Sequence, residues 1–180
     1  ETDLFQPIIQ EACSLSGKNY GADTGTDYAL RVVAEHARAA CFLIGDGVVP
    51  ANEGRGYVLR RIIRRAIRHG RQLGLTDTFL TPVAEKAMAG SSHVYGELSE
   101  NHDFILRVLI LEEQRFGETY EQGTGILRGI VKAREYATPF LDQANLKPDA
   151  ASDLNAGLSA LEVVAEEGIG VDLAITTLGT

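Results

Sequence analysis

Residues 52–71 read NEGRGYVLRRIIRRAIRHGR, and their spacing decides the fold class. At about 100° per residue, Arg60, Arg61, Arg64, Arg65 and Arg68 fall within an arc of roughly 140°. Val58, Leu59, Ile62, Ile63, Ala66 and Ile67 take the opposite half. The pattern predicts a two-faced helix from about Tyr57 to His69, with Gly70 where a C-cap belongs. One face docks into a core and the other presents guanidinium groups. With Arg55 and Arg71 the segment holds seven arginines in seventeen residues, no lysine, and no acid after Glu53.

The surrounding chain is acidic. Its 180 residues carry 17 Lys and Arg against 25 Asp and Glu, a formal net charge of -8. Without the seven arginines, ten bases would face 25 acids, and the balance would be -15. Positive charge collected on one short element points to an anionic partner.

The elements around this helix are also read as helical. Apolar residues Leu4, Ile8, Ile9, Ala12 and Leu15 recur on one side of the stretch 3–16, and Gly17 is a plausible stop. The loop GKNYGADTGT ends at a Thr26 or Asp27 cap. From Asp27 to Ile44 the core face is Leu30, Val33, Ala34, Ala37, Ala40, Cys41 and Ile44, and its scarcity of charge predicts the central buried helix. DGVVPANEGRG is a turn-rich loop before the arginine helix. Further helices are predicted from about Phe79 to Ala89, Asn101 to Phe116 and Glu118 to Glu135, the last weakened by Gly123, Gly125 and Gly129. No strand–helix alternation occurs. The expected class is mainly α: a multi-helix, bundle-like domain over 1–135, then an irregular tail over 136–180 with an amphipathic helix near Leu154–Glu167.

Composition narrows the functional classes. The hydrophobic share of 44% and charged share of 23% fit a globular protein. No apolar run approaches the roughly 18 residues of a membrane span, and the N-terminus lacks a signal-like core, so a cytoplasmic address is the default expectation. The chain starts at Glu1 and its only methionine is Met88, which suggests a piece of something longer. Cys13 and Cys41 form no CxxC pair, and the four histidines form no metal-ligand spacing. No nucleotide loop is present, and adjacent Glu112 and Glu113 project about 100° apart, a poor acid–base pair. No self-contained catalytic site is evident.

Two readings of the arginine face remain. It is a docking face for a nucleic acid or another polyanion, for which Arg is suited by bidentate phosphate contact. Alternatively it is a solvated or internally paired face, with Glu112, Glu113, Glu118 and Glu121 as available acids. The opposite face lacks Trp and Phe, which argues against a membrane surface. Asn52, in the loop before the helix, carries both a donor and an acceptor and could read a base edge, or could simply serve the turn.

Four blocks resemble the alanyl-tRNA synthetases, a class II family. They are ETDLFQPII (1–9), LSGKNYG (15–21), DYALRVVAEHARAACFLIGDGVVPANEGRGYVLRRIIRRAIRHG (27–70) and LEEQRFGETYEQG (111–123). They match in order the helical region after that family's catalytic core, over roughly residues 1–125. The resemblance implies a parent enzyme that activates alanine with ATP and magnesium and charges tRNA(Ala). In the family this region recognises the acceptor stem and its guanine–uracil wobble pair. The loop asparagine of the pattern P-x-N-x-G-x-G-Y aligns with Asn52, which the resemblance makes the minor-groove reader. Arg55, Arg60, Arg61, Arg64, Arg65 and Arg68 are then expected to hold acceptor-stem phosphates. The family's D-T-Y-G-F-P stretch, its class II motifs and its zinc-binding HxxxH are not in this sequence. No catalytic, ATP, magnesium or zinc role is therefore carried onto any residue here. The remaining domains of the synthetase are an implied partner.

Overall fold

A computed structural model describes residues 4–143, with side chains to 132. The described residues form helices and no strand: α1 (Gln6–Ser16), α2 (Thr24–Gly45), α3 (Gly54–Gln72), α4 (Leu80–Ala89), α5 (Gly96–Glu100) and α6 (His102–Gln143). The chain divides into two compact units, Glu1–Phe116 and Gly117–Thr180. The predicted tail helix lies outside the described residues.

In the first unit α2 is the central helix, packed against α1, α3, α4 and α5, while α1 also lies against α4. Every residue predicted for its core face is buried. Asp23 caps it, accepting from the Thr26 N–H at 2.8 Å, so the cap lies three to four residues before the position expected from sequence. Asp27 instead accepts from the Gly21 N–H at 2.6 Å and closes the preceding loop. In α1 a proline occupies the first turn, and Gly17 (φ 66°) ends the helix in the left-handed region. Of the residues predicted on its apolar side, Ile8, Ile9 and Ala12 are buried, and Leu4 and Leu15 are exposed. Cys13 and Cys41 are free and buried, and burial pushes the Cys41 thiol up to about 12, which leaves it inert.

The arginine helix is longer than its periodicity suggested. It starts at Gly54 and ends at Gln72, so Gly70 is an interior residue, not a C-cap. Gly70 is there for a close approach. A Cβ at this position would stand 2.0 Å from the Phe79 ring, which closes over the helix at the start of α4. Leu59, Ile63, Ala66 and Ile67 are buried, each large side chain contributing about 1.5–3 kcal/mol by leaving water. Val58 is exposed, contrary to expectation, because the apolar arc facing the core is narrower than half the helix.

The two helices predicted over residues 101–135 are one continuous helix, α6. The glycines that were expected to weaken it do not end it. In its first-unit portion Ile105, Leu109 and Phe116 are buried, and Glu112 and Glu113 sit on the same seam, each 3% exposed.

Candidate nucleic-acid interface

The loop before α3 is shaped by what it packs against. Val48 is buried and anchors one end. At the other end the loop backbone lies on the first turn of α3: a Cβ on Gly56 would be 2.4 Å from the Val49 carbonyl oxygen and 2.6 Å from the Ala51 Cβ. Gly54 takes a left-handed φ of 58°, so both glycines of the P-x-N-x-G-x-G-Y pattern have structural reasons. Asn52 sits at the tip of this loop, exposed.

Arg60 Nη1 donates to Asn52 Oδ1. Arginine has only donors, so the amide oxygen must face it and the Nδ2 hydrogens point elsewhere. Arg60 Nε and Arg64 Nε each lie 3.2 Å from one atom, Glu112 Oε1. The two guanidinium side chains are 21% and 23% exposed, and that of Arg64 also stands 5.3 Å from the Phe116 ring centre. This half of the arginine face is therefore paired with a buried acid, as the second reading of the sequence allowed.

The other half differs. Arg61 and Arg65 are exposed and form no ion pair among the described residues. Arg61 lies over the Tyr57 ring at 5.8 Å, and Arg65 Nη2 donates to the Tyr28 hydroxyl at 2.7 Å. Both contacts orient a guanidinium without neutralising it. Arg55 is exposed in the first turn of α3, and Arg68 is half-buried. The structure thus brings Asn52, Arg60 and Arg64 into one linked group, while Arg61 and Arg65 form a charged strip beside it.

Sequence reasoning missed Tyr28 and His69, and did not place Glu113 against α4. Tyr28, on α2, holds Arg65 and meets the buried His69 edge-on at 5.4 Å. Burial, with Arg68 as a second cause, holds the His69 imidazole down at about 4, so it is neutral. Glu113 accepts from the backbone N–H groups of Phe79 (3.0 Å) and Leu80 (3.2 Å), capping α4 from another helix. Burial raises its carboxyl above the ordinary value despite those bonds. The available signal was the placement of both glutamates on the apolar seam of α6, where a solvated acid would not sit.

No group of three or more His, Cys, Asp or Glu among the described residues is placed to hold a metal ion. No helix of the described residues is long and apolar enough to cross a membrane.

Residues 1–154 match the family described as tRNA synthetases class II (A), and the chain belongs to that family. Among its relatives, the alanine–tRNA ligase of Dehalococcoides mccartyi is 43% identical over 173 residues, covering 96% of this chain and 20% of that protein. The alanine–tRNA ligase of Nitratidesulfovibrio vulgaris is 54% identical over 127 residues, 71% of this chain and 14% of that protein. That of an Anaeromyxobacter species is 45% identical over 175 residues, 96% of this chain and 19% of the relative. The chain spans about a fifth or less of the length of these curated relatives. Likeness extends past the roughly 125 residues expected from the quoted blocks, to residue 154 in the family match.

Proposed function

We propose that this chain is a tRNA-recognition segment of an alanine–tRNA ligase, one that docks the acceptor stem of tRNA(Ala) for ATP-dependent aminoacylation by the rest of the enzyme. The reading is carried by one arrangement: an exposed loop asparagine tied to the first turns of a helix whose outer strip is unneutralised arginine. Family membership and the named relatives support the synthetase setting. On this reading ATP, magnesium and zinc act in other parts of the enzyme, and this segment is not itself catalytic.

The division of labour follows from charge. Arg61 and Arg65, with Arg55 at the helix start, are the phosphate contacts, because their charge is not offset by a neighbouring acid. Asn52 reads a base edge in the wide, shallow minor groove of A-form RNA, and its outward amide hydrogens favour an acceptor there. Arg60 and Arg64 serve the loop first; Arg68 lies along the same face. A second reading, in which the arginines act only within the protein, draws on the Glu112 pairs of Arg60 and Arg64.

The test is Asn52→Ala in the full-length enzyme. Charging of wobble-pair tRNA should fall by about tenfold or more while alanine activation persists, the loss expected for one specific polar contact. Equal slowing of both steps would remove the base-reading role.

A further inference from the structure

We propose that Glu112 is a positioning residue for Asn52, acting through Arg60; the inference rests on the base-reading role proposed above. Glu112 stands on the buried seam of α6 between Leu109 and Phe116, 3% exposed. Its Oε1 accepts a hydrogen bond from Arg64 Nε at 3.2 Å and lies at ion-pair distance, also 3.2 Å, from Arg60 Nε. A guanidinium is planar and rigid, so a carboxylate that attracts its Nε side by charge leaves the Nη edge turned to the loop. The Arg60 Nη1 so directed donates to Asn52 Oδ1. Glu112, Arg60 and Asn52 form a chain from the interior to an exposed loop tip whose side chain has no other hydrogen bond among the described residues.

Charge distinguishes this role from a simple grip. A buried carboxylate is costly to desolvate, and here it also cancels one of two positive charges beside the proposed phosphate path. A face selected for phosphate affinity alone would gain by losing it. What the carboxylate supplies is fixed geometry, which a specific contact requires of its supporting shell. Its neighbour cannot substitute, because Glu113 is turned to the start of α4.

The test compares Glu112→Gln, Asn52→Ala and the double variant in the full-length enzyme. The readouts are the kcat/KM ratio for tRNA with a wobble pair against tRNA with a Watson–Crick pair at that position, and tRNA affinity. Glu112→Gln should lower the ratio by about tenfold, while affinity stays equal or tightens through loss of a negative charge. In the Asn52→Ala background Glu112→Gln should lower the ratio no further, because nothing remains to be positioned. If the two losses multiply, or if Glu112→Gln leaves the ratio intact while Asn52→Ala abolishes it, the positioning role is overturned and base reading stands. If Asn52→Ala itself leaves the ratio intact, base reading falls and the positioning role with it. Should Glu112→Gln fold poorly, Arg60→Gln cuts the same chain and leaves Arg64 to pair Glu112. It should give the same loss of ratio, and an unchanged ratio would overturn the inference.

Discussion

Arg60 and Arg61 are neighbours in sequence and live in different chemistry. One is drawn to a buried carboxylate and a loop amide; the other lies over a tyrosine ring in solvent. The sequence made both legible as members of one stripe, because helical phase depends only on residue spacing. It could not separate them, because the acid that divides the stripe comes from a helix about fifty residues away. Only the resemblance singles out Asn52 as a base reader; as a bare residue it fits either a turn or a base contact. At this scale His69 gives a pH prediction. Its folded-state value of about 4 lies below the ordinary 6.5, so neutral His69 contributes stability that is full above 6.5 and is lost as pH falls toward 4. Thermal denaturation across that range should show wild type losing stability on acidification. His69→Phe, which keeps an aromatic partner for Tyr28, should flatten that part of the curve; an unaltered slope would place the titration elsewhere.

At the scale of elements, two glycines of α3 do similar steric work with different consequences. Gly56 admits the loop that carries Asn52, and Gly70 admits Phe79 ahead of α4. Gly70→Ala should lower stability by about 1–3 kcal/mol, read by chemical denaturation, and leave wobble discrimination in place. Gly56→Ala displaces backbone rather than a ring, so it should cost discrimination as well. If both variants lose only stability, the loop geometry is not what selects the tRNA. Glu113 ties α6 to α4 and has the opposite pH sign from His69. Its carboxyl is raised above 4.5, so the folded state holds the proton more tightly and stability falls as pH rises from 4.5 through the raised value. Glu113→Gln should remove that fall, which parallel melts of the two proteins at several pH values would reveal. Helix ends were the least legible elements. Gly70 looks like a cap to any reading that sees only local sequence, whereas a ring from the next segment explains its place.

For the whole molecule, an acidic chain keeps its exposed arginine strip on one face of α3, with α2 supplying Tyr28 beside it. The helical class and the centrality of α2 were legible because a sparsely charged, apolar-rich helix in an acidic chain must be covered by other helices. The cross-helix pairs were not, since no local pattern encodes which acid meets which base. The proposed docking role depends above all on Arg61 and Arg65 meeting RNA phosphates. The direct measurement is tRNA affinity of the full-length enzyme as a function of salt, for wild type and for Arg61→Gln with Arg65→Gln. The double variant should bind more weakly, with a log–log salt slope shallower by about 0.7–0.9 for each phosphate that is no longer neutralised. The melting temperature should stay near wild type, since exposed substitutions shift stability by about 0.5 kcal/mol or less. An unchanged slope, with affinity intact or with only stability reduced, would rule out the phosphate role of these two arginines.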